Sequence, residues 1–114
     1  MGNYKFDLDS KAKNINVLIG GFFTKEDGSG YIAEYKKCVN EIKPDEYDLR
    51  LDCTDLAVTQ ADILPMLEDC IKMYDKDGFK RVITKIKKDN VILKMQIQRL
   101  INNTKTSKIE LVLE

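Results

Sequence analysis

Tyr4 to Leu8 alternates the apolar Tyr4, Phe6 and Leu8 with Lys5 and Asp7, which predicts a half-buried strand at a sheet edge. A polar turn over Ser10 to Asn14 follows. The run Ile15 to Phe23 (INVLIGGFF) is β-branched and aromatic, interrupted by the polar Asn16, and predicts a buried second strand. Gly20 and Gly21 inside it predict a bulge or the close approach of another backbone. Asp27-Gly28-Ser29-Gly30 predicts a loop, with a helix after it to about Ile42 in which Ile32, Tyr35, Val39 and Ile42 share one face. Pro44 biases Lys43 away from helical geometry and marks the exit. Tyr47 to Cys53 (YDLRLDC) alternates again, with Tyr47, Leu49 and Leu51 opposite Asp48, Arg50 and Asp52, and predicts the third strand.

The clearest helical pattern is Ile63, Met66, Leu67, Cys70, Ile71 and Tyr74, at i, i+3, i+4, i+7, i+8 and i+11. Asp62 is the expected N-cap, Pro65 falls in the first turn, and Gly78 supplies the left-handed residue after the last. Arg81 to Ile86 predicts a fourth strand. Asp89 or Asn90 caps a third helix through about Asn102, and Ile109 to Leu113 predicts the final strand. The third helix carries Val91, Ile92, Leu93, Met95, Ile97, Leu100 and Ile101, more than one narrow stripe. It is therefore either deeply packed or half of a partner interface, a homodimer included. The order β-β-α-β-α-β-α-β predicts an α/β domain spanning residues 1–114: a single, mainly parallel sheet of about five strands with helices packed on it. The first strand is expected to run antiparallel at the edge.

The chain has 114 residues, 43% hydrophobic and 33% charged, which fits one soluble globular domain. It contains no histidine. That removes Ser-His-Asp and Cys-His nucleophilic arrangements and histidine metal sites, so no catalytic residue, metal or cofactor is expected. Cys38, Cys53 and Cys70 are odd in number and show no C-x-x-C spacing, and Cys38 and Cys70 read as small core hydrophobes. The amino-terminal segment has no apolar run of a signal peptide, and the longest uncharged apolar stretch, Val17 to Phe23, is too short to span a membrane. A cytoplasmic protein without membrane association is expected.

Nineteen basic and nineteen acidic residues cancel, but unevenly along the chain. Glu41 to Gly78 holds eleven acids against Lys43, Arg50, Lys72 and Lys76, whereas Phe79 to Lys108 holds nine bases against Asp89 alone. The basic third either gathers on one face or packs beside the acidic middle. Phe79 is its only aromatic residue, so nucleic-acid binding is not expected.

In a parallel sheet, ligands meet the loops at the carboxyl ends of the strands. Gly28-Ser29-Gly30-Tyr31-Ile32-Ala33 matches G-x-G-x-x-A, and Asp52 ends the following strand, so Gly28, Ser29, Gly30 and Asp52 are candidates for holding a nucleotide or small anionic metabolite. Thr24 to Asp27 intervene after the strand, and Glu26 and Asp27 bring negative charge; a glycine-rich turn capping a helix is the alternative. The stretch Thr54 to Asp62 carries two hydroxyls and two carboxylates, and a phosphate on Thr59 would be favoured by a helix amino terminus beside it. The same residues equally serve as caps and turns.

The element order, LRLDCTDLAVTQADIL (Leu49 to Leu64) and DGFKRVITKI (Asp77 to Ile86) resemble the STAS domain of sulfate transporters and anti-sigma-factor antagonists. The resemblance implies a non-enzymatic, regulatory, partner-binding module. In that family a strand-end acid, matched here by Asp52, precedes a phosphorylated hydroxyl at the start of the second helix. Ala61 stands at the acceptor position, so that motif is not preserved, and Thr59 is the nearest hydroxyl. A protein partner is thus expected at Thr54, Asp55, Thr59, Gln60 and Asp62, together with Glu68 and Asp69 on the exposed face of the second helix. So acidic a surface favours a basic partner.

Overall fold

The computed structural model describes residues 2–105 and 109–114. In chain order the elements are β1 (Asn3–Asp9), β2 (Asn14–Gly21), α1 (Lys25–Val39), β3 (Asp48–Leu56), α2 (Leu64–Asp77), β4 (Arg81–Ile86), α3 (Val91–Thr104) and β5 (Ile109–Leu113), with a 3-10 turn at Pro44–Glu46. The five strands form one sheet in the order β1-β2-β3-β4-β5. β1 is antiparallel to β2 and every other pair is parallel.

Because the strands enter the sheet in chain order, each helical crossover steps in the same direction. Right-handed crossovers that all step one way leave their helices on the same face. The core agrees with that geometry. Alternate strand positions Ile15, Val17 and Ile19, Leu49, Leu51 and Cys53, and Val82 and Ile86 are buried against Tyr31 and Tyr35 of α1, Cys70, Ile71 and Tyr74 of α2, and Leu93, Ile97, Leu100 and Ile101 of α3. Each such apolar side chain contributes roughly 1.5–3 kcal/mol of transfer free energy. Among the described residues no helix covers the opposite face of the sheet. Across it Lys5, Leu18, Asp52, Lys85 and Val112 form one row of register partners, and Asp7, Asn16, Arg50, Ile83 and Glu110 the next. Period-two alternation in the strand sequences is the trace of this one-sided burial.

Asp48 is the charged member of the buried set, 9% exposed, on the uncovered face. Its register partner Arg81 grips it in a forked contact, with Nη2 donating to Oδ2 at 2.7 Å and Nε to Oδ1 at 3.3 Å. The two oxygens and the planar guanidinium match in geometry, which is what keeps a nearly dry carboxylate tolerable.

Several boundaries differ from the sequence reading. β2 ends at Gly21, whose φ of 75° turns the chain out of the sheet and leaves Phe22 and Phe23 beyond it. The register between β2 and β3 shifts between Leu18 and Gly20, the irregularity expected at the paired glycines. β3 runs three residues past Cys53 through that irregularity, so Thr54 and Asp55 are strand residues and not part of a loop. Helix α1 begins at Lys25, not after Gly30. Thr24 and Asp27 form a reciprocal capping box: the Thr24 side chain accepts from Asp27 N, and Asp27 Oδ2 accepts from Thr24 N at 3.0 Å. Gly78, with φ of 78°, ends α2 in the left-handed conformation, and the Asn90 side chain caps α3 by accepting from Leu93 N.

Candidate functional site

The carboxyl ends of β2, β3 and β4 meet the amino-terminal ends of the three helices at one edge of the molecule. The 57–63 connection lies across this edge. Its first part is tied down by α3 and the α3 cap residue: Asn90 Nδ2 donates to Leu56 O at 3.3 Å, Gln96 Oε1 accepts from Thr59 N at 3.0 Å, and Gln96 Nε2 donates to Thr59 O at 2.8 Å. Ala57 N donates to Gly21 O, which holds the start of the connection against the end of β2.

Under this strap, between the sheet and the helices, lies a cavity of about 90 Å3. Ile19, Leu51 and Cys53 line it from the sheet, Tyr31 from α1, and Cys70 and Tyr74 from α2. Phe23, Leu56, Thr59 and Met66 near the carboxyl edge of the strands, Leu67 of α2, and Ile109 at the start of β5 also line it and are partly exposed. No described residue that lines it is charged. Its polar groups are the hydroxyls of Thr59, Thr84, Tyr31 and Tyr74 and the thiols of Cys53 and Cys70. The two tyrosine hydroxyls bond to each other at 2.5 Å, and burial pushes both phenols well above their ordinary range. Burial, reinforced by nearby Asp52, pushes the Cys53 thiol up to about 12. Burial, reinforced by Asp69, does the same to Cys70. Neither thiol is a thiolate near neutral pH, so neither is poised as a nucleophile.

The glycine motif does not form a phosphate cradle. Gly28 and Gly30 lie inside α1, where Gly28 N already donates to Thr24 O at 3.0 Å. Gly28 is needed for packing: a Cβ there would sit 1.9 Å from Met66 Sδ, and one at Gly30 would sit 2.5 Å from the Tyr4 hydroxyl. Ser29 between them is exposed. Asp52 is on the other side of the sheet, on the uncovered face, where its carboxylate accepts from Thr54 N and Thr54 Oγ1. These contacts hold it below the usual carboxylate range, with the Thr54 hydroxyl the main cause. The sheet therefore separates the three α1 candidates from Asp52, and they make no common ligand site. At the α1 amino terminus, Thr24 Oγ1 accepts from Asp27 N, and the Asp27 carboxylate, accepting from Thr24 N and Gly2 N at 3.0 Å, puts negative charge where an anion would sit.

The partner-binding candidates are likewise divided. Thr54 and Asp55 lie on the uncovered sheet face, Asp55 against Gly20. Thr59, Gln60 and Asp62 lie in the connection. Glu68 and Asp69 belong to α2. Asp62 does not cap α2, whose cap position is Ile63 with no side-chain hydrogen bond. The first amides of α2 are already taken, Leu64 N by Gln60 O and Met66 N and Leu67 N by Ile63 O, and Pro65 has none, so no free amide there awaits a phosphate on Thr59. The extension of β3 through Leu56 turns Thr54 and Asp55 to the side of the sheet away from the connection.

A surface that the candidate residues did not include stands out on α3. Val91, Ile92 and Met95 are 55%, 60% and 66% exposed, the highest values among the exposed large apolar side chains. The breadth of the apolar pattern in this helix was the signal for it. Exposed Lys87, Lys88 and Asp89 precede them in the chain, and exposed Lys94 and Arg99 line the same surface groove as Val91 and Met95. Val58, 39% exposed, sits in the connection that Gln96 fastens to the same helix. Among the described residues no helix is long and apolar enough to cross a membrane. Compared with known families and with curated proteins, the sequence matches no family model and no curated protein.

Proposed function

We propose that the chain is a small, non-catalytic interaction domain of STAS-like character that docks an acidic, amphipathic segment of a partner protein on the amino-terminal half of α3. The exposure of Val91, Ile92 and Met95 carries this reading. The inner face of α3 is already satisfied by Leu93, Ile97, Leu100 and Ile101, so these three side chains are not needed for the fold. Contiguous exposed apolar side chains with a charged rim are a feature of interaction surfaces. The rim of Lys87, Lys88, Lys94 and Arg99 selects negative charge and disfavours a basic partner. The element order and the stretches Leu49 to Leu64 and Asp77 to Ile86 support the regulatory character through their likeness to STAS domains. The absence of histidine and the protonated buried thiols support the non-catalytic one.

The test is affinity capture with the wild type and with an Ile92→Asp/Met95→Asp variant, followed by synthesis of the segment bound. An acidic amphipathic segment that binds the wild type, weakens with salt and is lost by the variant supports the proposal. A partner retained by the variant overturns it. Sedimentation across a concentration series covers the remaining occupant: a dimer that the variant abolishes would assign the surface to a second copy of the chain instead.

A further inference from the structure

The cavity beneath the 57–63 connection has no part in that docking surface. We infer that it is a binding site for a small, uncharged, mainly hydrocarbon ligand carrying one neutral hydrogen-bond acceptor. Position is the first support. The cavity reaches the carboxyl ends of β2 and β3 at Phe23, Leu56 and Thr59, where folds of this class bind ligands, and it is walled by sheet, helices and connection together. Lining is the second. Aliphatic and aromatic carbon makes up nearly all of its surface, and a charged ligand would meet no counter-charge among the described residues. Apolar voids stay dry and accept small apolar molecules; an engineered one of about 150 Å3 takes benzene or xenon, so at about 90 Å3 this one admits a ring of that size only as Met66 moves.

The tyrosine pair supplies the polar preference. Tyr31 and Tyr74 are 3% and 4% exposed, and both line the cavity. Two hydroxyls carry two protons, and their mutual bond uses one. The other has no oxygen or nitrogen acceptor among the described residues, only the Cys70 thiol in its neighbourhood. An oxygen entering the cavity offers that proton a better partner, at no cost in new buried charge. Met66 lies on the carboxyl-edge side of the cavity. Its flexible side chain packs over Gly28, against the backbone of α1, and gives way at the cost of that contact without moving either helix.

The experiment uses methyl-labelled protein titrated with toluene and with phenol, observed by NMR shifts of the Ile, Leu and Met methyl groups. Both probes should shift Ile19, Leu51, Met66 and Ile71 and leave the α3 surface residues Ile92 and Met95 unmoved. In the Tyr31→Phe/Tyr74→Phe variant, where neither hydroxyl is orphaned, toluene should bind as before. The preference for phenol over toluene should fall by roughly three- to tenfold, the worth of one neutral hydrogen bond. Cys70→Leu, which places two more carbons in the cavity, should abolish both. Absence of cavity shifts with either probe, or shifts that persist unchanged in folded Cys70→Leu protein, would overturn the site. An unchanged phenol preference in the double variant would overturn the role of the hydroxyl pair. None of these outcomes bears on docking at α3, so the two proposals fail separately.

Discussion

Gln96 holds the backbone of Thr59 at both its amide and its carbonyl, at 3.0 and 2.8 Å. A side-chain amide that presents one acceptor and one donor to a single residue imitates a strand neighbour. It converts an otherwise unpaired segment into a fixed wall of the cavity and a fixed flank of the α3 surface.

Replacing Gln96 with Ala should therefore cost about 1–2 kcal/mol, the net worth of two neutral hydrogen bonds, in urea unfolding monitored by circular dichroism. The local effect should be larger than the global one. Amide exchange at Thr59 should accelerate well beyond that of Leu51 or Val82 in the sheet core, because the connection loses its anchors while the core keeps its own. Equal acceleration everywhere would mean that Gln96 supports the whole fold and not this strap.

Gly28 and Met66 make a second coupled pair. Ala at position 28 gains about 1 kcal/mol of helix propensity but drives a methyl group into Met66 Sδ. Gly28→Ala alone should come out destabilising. Met66→Ala should also be destabilising, because it widens the cavity. Combined, the two should cost clearly less than their sum, with an interaction energy on the order of 1 kcal/mol, since the new methyl group fills space that Met66 vacates. Strict additivity in chemical denaturation would show that the α1–α2 contact relaxes elsewhere.

The same glycine shows how far the sequence can be read. Alternation in Arg81 to Ile86 and the i, i+3, i+4 pattern from Ile63 to Tyr74 are repeated signals, and each survives because every period adds the same vote for one buried face. The start of α1 depends on a single local contest. Gly28 and Gly30 favour a turn by propensity, but Thr24 three residues before Asp27 builds a capping box, and burial of Tyr31 and Tyr35 recruits the glycines into the helix. That spacing was legible and outweighs the glycine pattern once packing is considered. The extension of β3 through Thr54 and Asp55 was not legible, because the bulge beside Gly20 breaks the alternation at that point. The cavity was not legible either. It results from how side-chain volumes from distant segments fail to fill one space, and no local pattern encodes that.

Asp27 ties the capping box to the amino-terminal strand, and acid should loosen both. Its carboxyl is held below its ordinary value of 3.8 by hydrogen bonds from the Thr24 and Gly2 amides. A carboxyl depressed by folding contributes stability that is present above the unfolded value and is lost as the pH falls through the folded one. Stability should thus decline below about pH 4, and Asp27→Asn should make that decline shallower while lowering stability at neutral pH. An acid limb identical in the two proteins would assign it to other carboxylates, Asp52 among them.

The alkaline side should behave in the opposite sense, with a plateau between the two limbs. With no histidine, almost no side chain titrates between roughly pH 5 and 8, so the unfolding free energy should be flat across that range. Cys53 and Cys70 are raised from 9.0 to about 12 by burial, and Tyr31 and Tyr74 are raised well above 10.0 by the same cause. A group whose folded value is raised leaves stability intact below the unfolded value; that stability is then lost as the pH rises toward the folded one. The unfolded chain releases these protons first, so stability should start to fall near pH 9 and continue downward through about pH 12. Tyr35 and Cys38 are raised too, both chiefly by burial, so Tyr31→Phe/Tyr74→Phe removes two of six such groups among the described residues and should make the alkaline limb shallower without touching the acid one. Thiol reactivity gives an independent reading of the same burial. Cys38, which is only partly buried, should react with an aromatic disulfide reagent in the native protein, and Cys53 and Cys70 only at the rate of opening. Rapid native labelling of all three thiols at pH 8 would contradict the burial that sets both the alkaline limb and the closed cavity.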